Sequence, residues 1–113
     1  MKIEHGALYS ADLNPNWGTE PGKTRPVLVI QTDLLNTTGH ASTWVIPCTT
    51  RLTGSNLLRV PLPAGSAGNT RDCEIMIDQS RSIDNRRFKR RLGRAPQPIL
   101  REVKEKLRLL GDL

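Results

Sequence analysis

The change of hydrophobic period at Pro96 constrains this chain more than any other feature. Before it, apolar residues come in short runs, some of them near-alternating. After it, Ile99, Val103, Leu107 and Leu110 recur at helical spacing, with Leu100 beside them. A strand sends successive side chains to opposite faces, whereas a helix returns to one face every three or four residues. The chain is therefore expected to build a sheet first and then lay one amphipathic helix against it. Pro98 suits the first helical turn, and Gly111 suits the C-terminal cap.

The strand-like runs can be followed along the chain. GALYSADL (6–13) nearly alternates, as a half-buried strand does, and RPVLVIQ (25–31) reads as a buried strand. STWVIPCTT (42–50) contains Pro47, which predicts an edge position or a bulge because proline cannot donate to a ladder. NLLRVPL (56–62) and CEIMIDQ (73–79) complete the clear runs. Between the first two, NPNWGTEPGKT is too long for a tight hairpin and is a loop of the kind that often carries function. Asp33 to His40 reads as a turn with one helical turn around Leu34 and Leu35, and PAGSAGNT reads as an exposed connection. Arg81 to Asn85 reads as a short turn into a basic segment, itself either a last strand or an irregular edge. The 113 residues suffice for one core and show no internal repeat, so a single domain over 1–113 is expected. The fold class is mainly β with α: a small barrel or curled antiparallel sheet with the helix packed on it.

Charge narrows the partners. The net charge is +6, and the excess is concentrated in RSIDNRRFKRRLGR (81–94), where only Asp84 opposes seven cations. Such clustering suits a polyanion, or else forms a solvated basic edge. The aromatic content of 4% leaves Tyr9, Trp17, Trp44 and Phe88, too few for a broad base-stacking platform. The hydrophobic content of 36% is low for a globular chain, which suggests that a second subunit completes some of the apolar surface. Cys48 and Cys73 each sit in an apolar run without a CxxC or His/Cys cluster, so buried reduced thiols are expected, and no metal site. MKIEHG is not a signal peptide, and Val27–Ile30, the longest aliphatic run, is far too short to span a bilayer. A cytoplasmic protein is expected.

Three blocks carry a more specific signal. DLNPNWGTEPGKTRPVLVIQ (12–31) resembles the first signature of the MazF/PemK (Kid) toxin family, with its Asp-Leu-x-Pro strand end, Gly-x-Glu-x-Gly loop and Thr-Arg-Pro-Val-Leu-Val run. VIPCTT (45–50) resembles the family's Thr-bearing third-strand motif, and DQSRSID (78–84) its Asp/Glu-Gln-x-Arg-Thr/Ser-Ile-Asp motif. The blocks come in the family's order, and with the terminal helix they cover nearly the whole chain.

The resemblance implies an SH3-like barrel of about five to seven strands with a C-terminal helix. It also implies a homodimer and a sequence-specific endoribonuclease that cuts single-stranded RNA without a metal or other cofactor. The ribose 2′-OH would attack the adjacent phosphorus, leaving a 2′,3′-cyclic phosphate and a 5′-OH. A cognate MazE-like antitoxin with an acidic disordered tail would neutralise it.

Matched to the motif, Arg25 is the main catalytic residue. A preorganised guanidinium at a strand start offsets charge on non-bridging phosphate oxygens. Thr49 matches the family's catalytic threonine, with Thr50 as its neighbour and rival. Glu20 orients Arg25, touches RNA or is a solvated loop acid. Trp17 stacks on a base or caps the barrel mouth. Lys23, Asp78, Gln79, Arg81 and Arg87 complete the candidate RNA-binding set, with the third-block residues binding RNA or bracing loops. Plasmid-type relatives carry an Arg two positions before the third-block Asp and a His in the first loop. This chain has Met76 and Thr19 there, which favours the Arg/Thr arrangement. His5 and His40 match no motif position. Two other readings compete. A toxin of the gyrase-poisoning CcdB type shares the fold but depends on a C-terminal Trp-Gly-Ile, where this chain ends Gly-Asp-Leu. A plain nucleic-acid-binding barrel would leave Arg25 and Thr49 without chemistry.

Overall fold

Tyr9 and Leu8, adjacent in the first strand, are both fully buried, and they point into different cores. This follows from the alternation of side chains along a strand when both faces of the sheet are covered. One core gathers Leu8, Leu28, Ile46, Val60, Leu62 and Ile75, together with Leu100 and Val103 from the terminal helix. The other gathers Tyr9, Leu13, Val27, Val29, Val45 and Ile83, with Ile3 and Phe88 against it. Each such fully buried aliphatic or aromatic side chain contributes about 1.5–3 kcal/mol of transfer free energy. The Tyr9 hydroxyl donates to the Lys2 carbonyl and accepts from the Glu4 N–H, both at 2.9 Å, which satisfies the one polar atom that its burial would orphan.

The computed structural model describes residues 1–55 and 57–113. The strands are β1 (Ala7–Asp12), β2 (Thr24–Val29), β3 (Ser42–Thr49), β4 (Arg59–Leu62), β5 (Cys73–Met76), β6 (Arg81–Asp84) and β7 (Phe88–Arg94). A single turn, α1 (Asp33–Asn36), follows β2, and α2 (Gln97–Gly111) closes the chain. The strands form one antiparallel sheet in the order β4-β5-β3-β2-β1-β7, with β6 paired to β3. The sheet curls without closing. No ladder joins β4 to β7 among the described residues. The gap is narrowed instead by a contact of two glycines. A Cβ on Gly68 would stand 2.0 Å from the Leu92 carbonyl oxygen, and one on Gly93 would stand 2.4 Å from that of Ala67. Only glycine lets the β4–β5 loop lie on β7 in this way, so the expected barrel is a curved open sheet drawn together at one point.

Several expectations need correction. Pro47 lies in the most central strand, not at an edge. It pairs with Val27 on one side, while on the other side β3 exchanges β6 (at Ser42–Val45) for β5 (at Cys48 and Thr49). The missing donor thus falls where the ladder changes partner. Arg81 to Asp84 is strand β6, not a turn, with Ile83 buried between exposed Ser82 and Asp84. The run CEIMIDQ stops pairing at Met76 and continues as a 3-10 turn over Ile77–Gln79. NLLRVPL yields a strand only from Arg59, and Asn56 of that run lies outside the described residues. The basic segment is a strand, β7. In α2, Pro98 occupies the first turn as expected, but the left-handed C-cap is Asp112 (φ 54°), with Gly111 as the last helical residue. Leu110 stays half-exposed because the buried stripe centres on Leu100 and Val103.

A candidate phosphate-binding cleft beside β3

The β1–β2 loop is held by its own side chains. Asn14 Oδ1 accepts from the Lys23 N–H at 2.9 Å, and the Leu13 N–H donates to the Lys23 carbonyl at 2.9 Å, so the two ends of the loop are joined. Lys23 takes a left-handed backbone conformation (φ 64°), uncommon for a side-chain-bearing residue. Gly22 beside it is packed so closely that a Cβ would stand 2.2 Å from Asn16 Oδ1. At the tip, Glu20 Oε1 accepts from the Trp17 N–H at 3.0 Å.

This loop delivers Arg25 to the start of β2. Its Nε donates to the Gly22 carbonyl at 2.8 Å, and its Nη1 donates to the Cys48 carbonyl at 3.2 Å. Two backbone acceptors therefore hold the guanidinium, and Glu20 is not the group that orients it. The β2–β3 register passes through Val27 with Pro47. Carried two residues further, the same register sets Arg25 opposite Thr49. The Thr49 hydroxyl oxygen accepts from the Arg51 N–H at 3.1 Å, which leaves its proton free to donate outward.

Both side chains open on a cleft of about 470 Å³, also lined by Lys23, Thr50, Arg51 and Arg71. Four cations face this space, and neither a carboxylate nor an imidazole lines it. The Cys48 thiol behind it is fully buried, and burial pushes its pKa far up, so it stays protonated and inert.

The loop after β3 is anchored by a buried acid. Glu74 accepts from the Thr53 N–H and hydroxyl, the Gly54 N–H at 2.9 Å and Arg59 Nη1 at 3.0 Å. Burial raises the pKa of this carboxyl, but the hydrogen bonds from Gly54 and Thr53 and the charge of Arg59 outweigh it and hold the group below its usual range.

The other expected site residues lie around this cleft. Asp78 and Gln79 line a neighbouring cleft of about 450 Å³ with Thr19, Thr53 and Arg59. Arg81 has a buried Nη1 with no hydrogen-bond partner, and its closest acid is Glu20 at 3.9 Å. Trp17 is 78% exposed and caps nothing. Arg87 donates through Nη1 to the carbonyls of Asp12 and Asn14, bracing the base of the β1–β2 loop. Arg91 and Arg94 both reach Glu4, and Arg86 grips Asp84 through two side-chain hydrogen bonds and one from its N–H, which together depress that carboxyl to about 2. His5 faces the Ile30 carbonyl at 3.2 Å, and neither His5 nor His40 lines the cleft.

Residues 4–111 match the family described as the PemK-like, MazF-like toxin of type II toxin-antitoxin systems. The chain belongs to that family. Endoribonuclease MazF9 of Mycobacterium tuberculosis is 31% identical over 115 residues, covering 98% of each chain. Endoribonuclease EndoA of Bacillus subtilis is 33% identical over 110 residues, covering 96% of this chain and 94% of its own. Among solved structures, MazF of Deinococcus radiodurans superposes with a TM-score of 0.86 at 29% identity, over 100% of this chain and 99% of that one. A MazE–MazF structure from the same organism gives 0.79 at 29% identity over the same shares.

Against this MazF-like fold, the sequence reading missed Arg51 and Arg71. Arg51 directly follows the Thr pair, so its charge was a usable signal. Arg71 lies just beyond a loop that reads as a plain exposed connection, and only the β3–β5 pairing brings it to the cleft.

Proposed function

We propose that the chain is an endoribonuclease toxin that cuts single-stranded RNA at this cleft. The observation that carries the reading is Arg25, pinned by two carbonyls opposite the free hydroxyl of Thr49 in an acid-free cationic space. A phosphodiester fits there by charge. The ribose 2′-OH gives up its proton to water and its oxygen attacks the adjacent phosphorus; a new P–O2′ bond forms, the P–O5′ bond breaks, and the departing 5′-oxygen takes up a proton from water. The products are a 2′,3′-cyclic phosphate and a 5′-OH. Negative charge that builds on the non-bridging oxygens is offset by the Arg25 guanidinium and a hydrogen bond from Thr49, both already in place before the reaction. An arginine with a pKa above about 12 is a poor base, so its role is charge offset and not proton removal. Lys23 adds charge from the same loop. Exposed Trp17 offers a stacking face to a base, and Asp78, Gln79 and Arg81 offer polar groups to neighbouring nucleotides.

The same cationic groove suits the acidic tail of an antitoxin, which would block RNA by charge and by volume. The solved MazE–MazF structures of a relative support such a partner. A homodimer with RNA crossing the subunit boundary is the proposed active form. The exposed apolar side chains of Leu57, Leu109 and Leu110, which line one shallow hollow, support it by leaving surface for a partner to cover. Sedimentation at micromolar concentration should show the dimer, and a fully active monomer would refute it.

The chemistry is tested with an RNA carrying a single 2′-deoxy nucleotide 5′ to the scissile phosphate. That substitution should abolish cutting at that position and leave other sites intact. Cutting at the deoxy position, or products with 5′-phosphate ends, would refute the mechanism.

A further inference from the structure

The cleft carries more positive charge than one phosphodiester requires, and the charge is divided between two sides of β3. Lys23 and Arg25 stand on the β2 side. The other pair stands on the β5 side. The β3–β5 ladder ends with Thr49 opposite Glu74, and continuing that register sets Arg51 opposite Asp72, one residue from Arg71. The two pairs rise from different backbone segments, the β1–β2 loop and the start of β2 on one side and the end of β3 with the approach to β5 on the other, so the cleft offers positive charge to more than one phosphate.

Both arginines have fixed bases and free heads. The Arg51 N–H is bonded to the Thr49 hydroxyl, and the loop beyond it is clamped at Thr53 and Gly54 by Glu74. The Arg71 carbonyl accepts from Asn69 Nδ2 at 2.8 Å. Asn69 is buried and bonds three carbonyls in all, those of Leu62, Pro63 and Arg71. Asp72, the nearest acid in sequence, is turned to the Ala64 N–H at 2.8 Å. Among the described residues neither guanidinium has an ion-pair or hydrogen-bond partner, in contrast to Arg59, Arg86, Arg91 and Arg94.

We propose that Arg51 and Arg71 form a second phosphate subsite, which holds a phosphate neighbouring the scissile one in the same RNA strand. The inference rests on the reading of the cleft as the RNA-cutting site. It gives the strand a fixed path across β3, with the scissile phosphate on Arg25 and Thr49 and its neighbour on the Arg51–Arg71 pair. Bidentate guanidinium contacts at two successive phosphates set the register of the strand without reading its bases.

The test uses a short RNA that the protein cuts at one site, made with a neutral methylphosphonate at the phosphate on either side of the scissile one. For the wild type, one of the two replacements should raise KM tenfold or more and change kcat less. In the Arg51→Gln/Arg71→Gln protein the all-phosphate RNA should show a similar rise in KM, and the methylphosphonate should add little further, because the groups that sense that charge are gone. The corresponding lysine variants should recover part of the loss. Both positions are exposed, and a thermal melt of each variant confirms the fold. Penalties that multiply in the variant, or no penalty at either flanking phosphate, would overturn the subsite. Failure of the wild type to cut the all-phosphate RNA would count against the endoribonuclease reading instead.

Discussion

Arg25 donates through Nη1 to the carbonyl oxygen of Cys48 at 3.2 Å, which ties a side chain near the start of β2 to the backbone immediately before Thr49. The two proposed catalytic residues are thus coupled through a single peptide unit, and the strand pairing that brings them together also limits their motion. Placement of this kind costs no reorganisation when charge develops on a phosphate.

Replacing Arg25 by Ala should slow RNA cutting by about 10²–10³-fold, the usual effect of removing one oxyanion-type donor. It should also destabilise the fold by about 1 kcal/mol, because the Gly22 and Cys48 carbonyls lose their donors. Single-turnover kinetics with a parallel thermal melt separate the two effects. Arg25→Lys should recover little, because an ammonium is a point charge that cannot span both carbonyls and a phosphate.

Thr49→Val and Thr50→Val should diverge. Thr49 keeps its proton free while its oxygen is held by the Arg51 N–H. Valine there removes the donor and frees the loop that carries Arg51, so kcat should fall. Thr50 is exposed at the same cleft without that anchoring, and its valine variant should cut at close to the wild-type rate. The reverse pattern in initial-rate measurements would assign the role to Thr50.

Glu74 makes a pH-dependent contribution whose sign follows from its depressed pKa. The folded-state value lies below the ordinary 4.5, so the stabilisation is fully present above that value. It is lost as pH falls through the lower folded-state value. Glu74→Gln should therefore be less stable than the wild type at neutral pH, and the gap should close in acid. Urea melts at a series of pH values from 7 down into acid measure it, and a gap that fails to narrow at any acid pH would contradict the clamp.

Within the basic segment the arginines should behave differently. Arg87 braces the carbonyls of Asp12 and Asn14, so Arg87→Ala should loosen the β1–β2 loop and speed proteolysis between residues 14 and 20. Arg90 is exposed without a side-chain partner among the described residues. Arg90→Ala should leave the loop intact and lower the salt slope of RNA binding by about 0.7, the effect of one phosphate contact to a single strand.

The sheet-then-helix order, the long first loop and the Arg25–Thr49 pair were legible because each rests on local pattern or on contiguous motif residues. Other features depended on pairing between distant segments. Pro47 reads as the mark of an edge or a bulge, and its central position makes sense only once β6 and β5 are seen to share one side of β3. RSID is too short for its alternation to outweigh the polar residues around it. Of the three roles open to Glu20 in the sequence, orienting Arg25 falls to two carbonyls instead, which no side-chain pattern announces. The excess of cations in 81–94 suits a polyanion or a solvated basic edge, and the sequence does not say which residues are free. Glu4, Asp84 and the loop carbonyls divide them into paired and free residues.

The most direct measurement of the central claim is cleavage of a long single-stranded RNA in EDTA by the purified wild type and by folded Arg25→Ala, with end-group analysis of the fragments. The wild type should cut at defined sequences and leave 2′,3′-cyclic phosphate and 5′-OH ends, and the variant should be slower by about 10²–10³-fold. An intact RNA with the wild type, or near-normal turnover by folded Arg25→Ala, would contradict it.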